Sequence, residues 1–393
     1  MEVAKYKLKD IVKLLNGRAY LMPELQDSGK YRILRVGNLS GGNDSWYYSD
    51  MELDEDKYCS KGDLLYAWAC NFGPHIWNEE KVIYHYHVWK LVEDKQRVDR
   101  KYLYYYLLHQ TPFYLGGVNG ATMVHITKQN MENKTVFIPK SLLTQRRIAS
   151  ILSAYDNLIE NNNKRIRMLE QMAENIYKEW FVRFRFPGHE KAEFENGLPK
   201  GWREEVASNV IDVMSGGTPK TEREDYYGGD IPFYTPKDAD ESIFVYSTIT
   251  NITEEGLAHC NSQYYPVNTL MITARGTVGK LCLLAVPMAM NQSCFALKFK
   301  DSKNPYYLYY SIKNEVAKLK KMANGGVFDT IIVKTFDHIK IIVPLDIILV
   351  AFDEQVTPIL GQIQKLQRQN SLLSRQRDLL LPRLMSGKLE VKE

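Results

Sequence analysis

The spacing of apolar residues along this chain changes from short strand-like runs to a helical period, and it does so twice. Short or alternating apolar runs bounded by glycine, proline or asparagine predict strands at residues 63–69, 82–92, 269–273 and 294–299. Each strand-rich region precedes a stretch in which apolar residues recur at alternating steps of three and four, the spacing of a heptad seam. We therefore expect an α+β fold with two similar strand-rich domains, each followed by a long helix.

Both predicted helices carry a seam, and the two seams complement each other. The seam residues are Leu152, Tyr155, Ile159, Asn162, Ile166, Leu169 and Ile176 in the first helix and Val356, Ile359, Ile363, Leu366, Asn370, Leu373 and Leu380 in the second. An antiparallel coiled coil with Asn162 facing Asn370 makes nearly every layer apolar. A buried asparagine pair fixes register, so we predict this layer. The alternative is that each helix covers only its own domain. Pro358 suits the first turn of the second helix.

The chain also repeats itself. Residues 102–105 (YLYY) recur at 307–310, and 137–139 (FIP) correspond to 342–344 (IVP), both at a spacing of 205. Upstream, residues 85–89 align with 291–295 at a spacing of 206, and Gly17 aligns with Gly216 at 199. Three short helical or strand repeats are the minimum for a solenoid, so two copies of about 200 residues indicate two similar globular domains.

These patterns divide the chain into five segments. We predict a first strand-rich domain at residues 1–140, a central helical spacer at 141–185 and a linker at 186–203. A second strand-rich domain follows at 204–345, and a C-terminal helical spacer occupies 346–393.

Composition narrows the class of protein only a little. The 393 residues carry a formal charge of +4, so binding to nucleic acid has to come from local patches. Five cysteines without a Cys-x-x-Cys pair indicate free thiols in a reducing compartment. A secretory signal and a long uninterrupted apolar segment are both missing from the sequence, so we expect a cytoplasmic protein without a membrane partner.

Two segments resemble a known family. Residues 145–156 (QRRIASILSAYD), with 180–184 (WFVRF) closing the helix, look like the central helical region of type I restriction-modification DNA specificity (S) subunits. Residues 379–389 (LLLPRLMSGKL) look like the C-terminal region of those subunits. The resemblance spans the whole chain and is weaker in the two strand-rich domains. The second helix lacks the Gln-Arg-Arg-Ile pattern of the first.

The resemblance implies a non-catalytic subunit that sets DNA sequence specificity. The strand-rich domains at 1–140 and 204–345 would be target-recognition domains, each reading one half of a bipartite, asymmetric site in double-stranded DNA. The helices would set the spacer and dock two methyltransferase (modification) subunits, which restriction subunits join. A seam of about 25 residues is ~37 Å long, close to the ~34 Å of one DNA turn. No cofactor is expected on this subunit, since S-adenosylmethionine and ATP with Mg²⁺ would belong to partners.

Two other functions stay open on the sequence alone. One is a stand-alone DNA methyltransferase or nuclease, although no glycine-rich cofactor loop opens a strand-helix unit here. The other is a structural, dimerising adaptor without a DNA role. Residues 304–307 (NPYY) resemble the Asn-Pro-Pro-Tyr of adenine methyltransferases only faintly, and we interpret Asn304 as a helix cap. No catalytic residue is predicted.

Candidate DNA contacts come from basic and amide residues in loops. Residues 275–280 (RGTVGK) lack the first glycine and the final Ser or Thr of a Walker A loop, so they indicate either a DNA contact or a plain hairpin. Our candidates are Arg275, Thr277, Lys280, Lys237 and Gln292 in the second domain and Arg35, Asn38, Asn71 and Lys128 in the first.

Two further features have alternative interpretations. The equivalent loops 119–125 and 324–329 are either structural turns or DNA contacts. His85 and His87 alternate along a predicted strand and share one face, but the sequence offers no third metal ligand. We therefore interpret them as ordinary imidazoles and predict no metal site.

Overall fold

The computed structural model describes residues 2–39, 45–70, 72–115, 125–301, 304–322 and 330–391. The chain divides into two compact units. Unit 1 comprises Met1–Asn161 and Asn370–Glu393, and unit 2 comprises Asn162–Gln369. Among the described residues, no helix is both long enough and apolar enough to span a membrane.

Unit 1 begins with strands and ends with helix. Its described strands are β1 (Val3–Lys7), β2 (Val12–Asn16), β3 (Tyr31–Leu34), β4 (Tyr47–Ser49), β5 (Tyr58–Cys59), β6 (Leu64–Ala67), β7 (Gly73–Ile76), β8 (Val82–Tyr84), β9 (Val88–Glu93) and β10 (Thr135–Pro139). Its described helices are α1 (Val36–Leu39), α2 (Arg100–Leu115), α3 (Lys128–Glu132), the first part of α4 (Leu142–Tyr177) and the end of α8 (Asp346–Met385).

The strands of unit 1 form three sheets. One has the order β2-β9-β6-β7 with antiparallel neighbours, the second has the order β4-β3-β8-β5 with β3 and β8 parallel, and the third pairs β1 with β10. Tyr66 and Trp89 of the first sheet are buried with Tyr102 of α2 and Leu152 of α4. The core of unit 1 therefore lies between that sheet and its helices.

Unit 2 has a similar order of strands and helices, preceded by an additional hairpin. Its described strands are β11 (Phe194–Glu195), β12 (Leu198–Pro199), β13 (Arg203–Val206), β14 (Ile211–Ser215), β15 (Tyr227–Tyr234), β16 (Phe244–Val245), β17 (Asn251–Ile252), β18 (Leu270–Thr273), β19 (Leu281–Leu284), β20 (Ala289–Met290), β21 (Cys294–Phe299) and β22 (Lys340–Val343). Its described helices are the rest of α4, α5 (Ala207–Val210), α6 (Glu254–Ala258), α7 (Pro305–Met322) and most of α8 (Asp346–Met385).

The sheets of unit 2 resemble those of unit 1, but the main sheet gains β16, the second has three described strands in place of four, and β11 pairs with β12 in a separate hairpin. The main sheet has the order β14-β21-β18-β19-β16, a second has the order β17-β15-β20, and β13 pairs with β22. Tyr307 of α7, Phe352 of α8 and Phe181, in the π-helical turn Lys178–Val182 that continues α4, are all buried in the core of unit 2.

Strand registers match the spacings of the sequence repeat. Asn16 pairs with Trp89 in unit 1, as Ser215 pairs with Phe295 in unit 2. Leu64 pairs with Leu91, as Leu270 pairs with Leu297. The parallel pair of Leu34 with Tyr84 corresponds to that of Tyr234 with Met290. The units are therefore two copies of one fold, and the predicted α+β class is confirmed.

The two long helices contact each other within each unit. In unit 2, Asn162 of α4 donates to Gln369 Oε1 at 3.0 Å, and the rings of Tyr177 and Phe352 lie 6.5 Å apart. Between these two contacts the residue number increases along α4 and decreases along α8, so the two helices run antiparallel in unit 2. In unit 1, Arg377 donates to Asp156. All fourteen seam residues are buried or half-buried, while the coiled coil and the Asn162–Asn370 layer stay predictions.

Three predictions about local structure can be checked against the observed strands and helices. The strand predicted over 82–92 is wrong in one respect, because a turn at 85–87 separates β8 from β9, which join different sheets. Pro358 does not lie in a first turn, since α8 already begins at Asp346. Asn304 does cap α7, with its Oδ1 accepting from the amide of Tyr307 at 2.8 Å.

Candidate nucleic-acid interface

Three turns of unit 2 come together at one end of its sheets. They are residues 235–238 after β15, the hairpin 274–280 between β18 and β19, and residues 291–293 between β20 and β21. The amide of Asn291 donates to the carbonyl of Tyr234 at 3.0 Å, and that of Ala274 donates to the carbonyl of Ser293 at 2.8 Å. These bonds place all five predicted residues of the second domain on one surface. We call Lys237, Arg275, Thr277, Lys280 and Gln292 the unit 2 surface.

The hairpin owes its shape to two glycines and a threonine. Gly276 and Gly279 have φ values of 77° and 76°, a left-handed conformation that favours glycine. Thr273 exchanges backbone bonds with Lys280 and Gly279, at 3.0 and 2.8 Å. The hairpin interpretation is therefore correct as a description of the backbone, and it leaves Arg275 and Thr277 exposed at the tip.

Contacts at the unit 2 surface link the hairpin to its neighbours. Thr277 Oγ1 donates to the carbonyl of Pro236 at 3.3 Å, which brings the tip beside Lys237. Lys280 forms an exposed ion pair with Glu241. Burial, together with the nearby charge of Lys280, lowers the pKa of Lys320. Two lysines and the carboxylate of Glu241 therefore lie together on this side of the hairpin.

The remaining two residues lie on the flanking turns. Asp238 accepts from the backbone amide of Thr235 at 2.8 Å, which fixes the turn and leaves Lys237 exposed. Gln292 accepts from the hydroxyl of Thr218 and is exposed. Both side chains therefore sit on ordered turns, as a readout of base edges requires.

The equivalent turn of unit 1 carries Arg35 and Asn38. Asn38 Oδ1 accepts from the amide of Arg35 at 3.1 Å, the bond that Asp238 makes in unit 2. The Arg35 guanidinium lies 4.3 Å from the ring centre of Tyr47 and donates to the carbonyl of Ser45 at 3.0 Å. Two of the four residues predicted for the first domain thus share one turn.

Aromatic rings lie beside this turn in unit 1, where the amide of His85 donates to the carbonyl of Leu34 at 2.9 Å. Tyr86 and His87 have ring centres 4.0 Å apart, and Trp68 lies 5.0 Å from His87. His85 lies 4.4 Å from Tyr86. We call Trp68, His85, Tyr86 and His87 the ring cluster, and together with Arg35 and Asn38 they form the unit 1 surface.

Burial keeps the histidines of the ring cluster neutral. Burial, with smaller contributions from the neighbouring His87 and Arg35, lowers the pKa of His85 to about 4. Burial also lowers the pKa of His87. A neutral imidazole offers one hydrogen-bond donor and one acceptor, which suits contacts with base edges more than with phosphate. No group of three metal-ligating side chains occurs among the residues that the structure describes.

The other predicted positions are less informative. Lys128 is the first residue of α3, with its Nζ 3.7 Å from Glu132, and it follows Ile126, whose amide donates to the carbonyl of Trp68. Asn71 lies outside the described residues. The same is true of 119–124 and 324–329 in the paired loops.

Sequence reasoning missed the ring cluster as a possible contact surface. Trp68 and Tyr86 are not among the predicted contacts, because isolated aromatic residues in a strand-rich region are usually core. The repeat did hold a signal, since Tyr86 aligns with the predicted contact Gln292. Lys320 was missed because it lies on α7, far from the hairpin in sequence.

The sequence and the fold of this chain are similar to those of known proteins. The model of the family described as type I restriction modification DNA specificity domain matches residues 1–171 and 199–369. The specificity subunit of the type I restriction enzyme HindI from Haemophilus influenzae is 25% identical over 331 residues, covering 68% of this chain and 72% of that protein. The specificity subunit of the Escherichia coli type I restriction enzyme EcoR124I/EcoR124II is 25% identical over 264 residues, 64% of this chain and 61% of that protein.

A solved structure shows the same fold. The type I restriction-modification S subunit from M. genitalium aligns with a TM-score of 0.57 at 16% identity, over 98% of this chain and 96% of that one. The two matches of the family model also coincide with the two copies found in the sequence and in the strand registers. The chain therefore belongs to the family of type I restriction-modification DNA specificity proteins.

Proposed function

We propose that this chain sets the DNA sequence specificity of a type I restriction-modification complex by reading a bipartite, asymmetric site. Unit 1 reads one half of the site and unit 2 reads the other. The observation that carries the proposal is the pair of loop surfaces, which equivalent turns build in two copies of one fold. Two related but unlike surfaces suit two half-sites of different sequence.

Readout on the unit 2 surface would combine base and phosphate contacts. Arginine and lysine recognise the O6 and N7 of guanine, and glutamine recognises adenine, in the major groove. Arg275 and Gln292 are exposed on adjoining turns, so both side chains can reach the same few base pairs. Lys237 and Lys280 flank them and suit phosphate contacts.

Helices α4 and α8 would supply the spacer between the half-sites. Rigid helices fix a distance better than loops do, and the antiparallel contacts of Asn162 with Gln369 and of Tyr177 with Phe352 fix their register in unit 2. We also propose that the helical regions dock two methyltransferase subunits, which restriction subunits join in the full complex.

Specificity subunits of this family are non-catalytic, so methyl transfer and cleavage belong to partner subunits. We propose that S-adenosylmethionine binds to the methyltransferase subunits and that ATP with Mg²⁺ binds to the restriction subunits. The sequence supports this assignment, because it contains no glycine-rich loop of the cofactor-binding type that opens a predicted strand-helix unit.

A genome-wide map of adenine methylation tests the proposal. The source cell is compared with a strain that lacks this gene, and we expect the loss of one motif made of two short halves separated by a fixed gap. An unchanged map in a cell that expresses the methyltransferase partner would contradict the proposal. Adenosylmethionine binding by the isolated chain would favour a stand-alone methyltransferase instead.

Variants of the unit 2 surface sharpen the test. Arg275→Ala combined with Gln292→Ala should change or abolish the sequence of one half of the motif and leave the other half intact. A matched control is Lys298→Ala with Lys300→Ala, since these exposed lysines lie near the other end of β21 from Gln292. The control should leave both halves unchanged.

A further inference from the structure

Equivalent positions of the two surfaces carry unlike side chains. Equivalent backbone contacts align the two hairpins. The amide of Ile126 donates to the carbonyl of Trp68, as that of Ile331 donates to the carbonyl of Ala274. Gly73 pairs with Ala67 across the hairpin of unit 1, as Lys280 pairs with Thr273 in unit 2. The aligned pairs, with the unit 2 residue first, are Lys237 and Gly37, Arg275 and Ala69, Lys280 and Gly73, and Gln292 and Tyr86. Each of the three unit 2 cations is thus aligned with an uncharged residue of unit 1.

Two arginines of unit 1 near its surface are engaged by other groups, as Lys280 of unit 2 is by Glu241. Arg18 makes two hydrogen bonds to the carboxylate of Glu24, at 3.0 and 2.7 Å. Arg35 lies over Tyr47 and donates to a backbone carbonyl. The neighbouring segments 40–44 and 116–124 contain no lysine or arginine in their sequence.

Unit 1 has aromatic and imidazole rings at positions where unit 2 has small or amide side chains. Ala274, Asn291 and Ser293 of unit 2 align with Trp68, His85 and His87, three members of the ring cluster. The fourth member, Tyr86, is 39% exposed, so its ring is available to a ligand. Aromatic and apolar side chains contact the thymine methyl group in the major groove and, being uncharged, they release no counterions from DNA.

We propose that the two units bind their half-sites by different chemistry. Unit 2 binds through cationic side chains that contact phosphates and guanine edges, whereas unit 1 binds through the ring cluster and neutral polar groups. The inference rests on the proposed function, because it assumes that both surfaces bind DNA. It predicts that salt weakens the two halves of the complex unequally.

The test measures how DNA affinity depends on salt concentration. The full chain is titrated against a fluorescent duplex that carries the bipartite motif found by methylation mapping, and anisotropy gives the affinity at several salt concentrations. The triple variant Lys237→Ala, Arg275→Ala, Lys280→Ala should lower the slope of log affinity against log salt by about 0.9 for each phosphate that it no longer neutralises. Tyr86→Ala removes a base contact without removing charge, so it should weaken binding about tenfold and leave the slope unchanged.

Further variants distinguish the loss of a DNA contact from the loss of the folded structure. Trp68→Phe keeps a ring at a half-buried position and should bind more tightly than Trp68→Ala, while thermal melting verifies that each variant folds. Lys298→Ala with Lys300→Ala removes charge elsewhere in unit 2 and should leave the slope intact.

Two results would overturn the inference. One is a triple variant with an unchanged salt slope, and the other is a Tyr86→Ala variant whose slope falls as that of the triple variant does. In both cases the wild-type chain would still prefer its motif to a scrambled duplex, so the proposed function would stand. Equal binding of the wild type to both duplexes would overturn the proposed function and the inference with it.

Discussion

Gly17 and Gly216 show how single residues shape both loop surfaces. A Cβ atom built on Gly216 would lie 2.3 Å from the carbonyl oxygen of Asn291, and one built on Gly17 would lie 2.4 Å from that of His85. Both carbonyls belong to the turns that carry candidate DNA contacts. Only glycine lets the two backbone segments approach so closely, so the sequence match of these glycines reports a packing requirement.

Alanine at Gly216 should therefore destabilise the protein. Backbone atoms have to shift to admit the methyl group, and we expect Gly216→Ala to lower the free energy of unfolding by about 1–3 kcal/mol in urea titrations. Gly361 is the control, because it lies in α8 with nothing within 4 Å of a built Cβ. Gly361→Ala should raise the free energy of unfolding by ~1 kcal/mol. Equal effects of the two variants would contradict this account.

Asp353 of α8 makes the stability of unit 2 sensitive to pH. Burial raises the pKa of its carboxyl to about 6, although a hydrogen bond with Asn304 opposes the rise. Its Oδ1 is buried, and no donor among the described residues reaches it. Because the folded pKa exceeds the unfolded value, the protonated form favours folding. This contribution is complete below about pH 4 and is lost as the pH rises through about 6.

Asp353→Asn tests the sign of that dependence. The amide cannot ionise, so the variant should be more stable than the wild type near pH 7, and the difference should disappear near pH 4. Thermal melting of both proteins across this range gives the difference directly, since all other titrating groups are common to the two. A difference that does not vary with pH would show that the Asp353 carboxyl does not titrate in this window.

At the scale of elements, α4 and α8 meet through a charged contact in unit 1. Arg377 donates to Asp156, which also accepts from the hydroxyl of Tyr105. The two charged side chains are only 23% and 30% exposed, so water screens them partly. A contact of this kind is worth more than an exposed ion pair, because removing one partner leaves the other poorly solvated.

A double-mutant cycle measures that contact. Asp156→Asn and Arg377→Gln should each lower the free energy of unfolding by about 1–2 kcal/mol, and together by less than the sum. Asp99→Asn with Arg146→Gln is the matched control, since Arg146 lies 3.6 Å from Asp99 with a side chain that is 64% exposed. Its coupling should be under about 0.5 kcal/mol. Additive effects for Asp156 and Arg377 would mean that the contact does not hold the helices together.

The elements could be predicted from sequence to the extent that periodicity determines them. The seam residues fall on the inward faces of α4 and α8, because burial of one helix face requires that period. The turn at 85–87 escaped prediction, since β8 and β9 join different sheets and only tertiary pairing shows it. The predicted C-terminal spacer does begin where α8 begins, at Asp346, but Pro358 lies twelve residues further on and not in the first turn.

The candidate site was predictable only in part for a similar reason. Lysine, arginine and amide residues in loops indicate a binding surface, and the residues of the unit 2 surface do lie together. The ring cluster of unit 1 looks like core in the sequence, since Trp68 and His87 become neighbours only when β6 and the turn before β9 meet. The residues that differ most between the copies were therefore the hardest to identify.

At the scale of the whole molecule, the duplication was the most reliable prediction. The largest buried cluster of unit 2 draws on α4, α7, α8 and the β14-β21-β18-β19 sheet, and that of unit 1 draws on α2 and the β2-β9-β6 strands. Each copy thus has a hydrophobic core of its own. Proteins open in cooperative units that follow such cores.

Because each copy has its own core, we expect a destabilising substitution in one copy to leave the stability of the other unchanged. Gly216→Ala should speed amide hydrogen exchange in β14, β18 and β21 and leave β2, β6 and β9 at their wild-type rates, whereas Gly17→Ala should do the reverse. Exchange followed by mass spectrometry on the full chain resolves these strands. Because each glycine contacts a turn of its own copy, the two variants serve as controls for each other. Faster exchange throughout both copies in either variant would mean that the chain unfolds as a single cooperative unit.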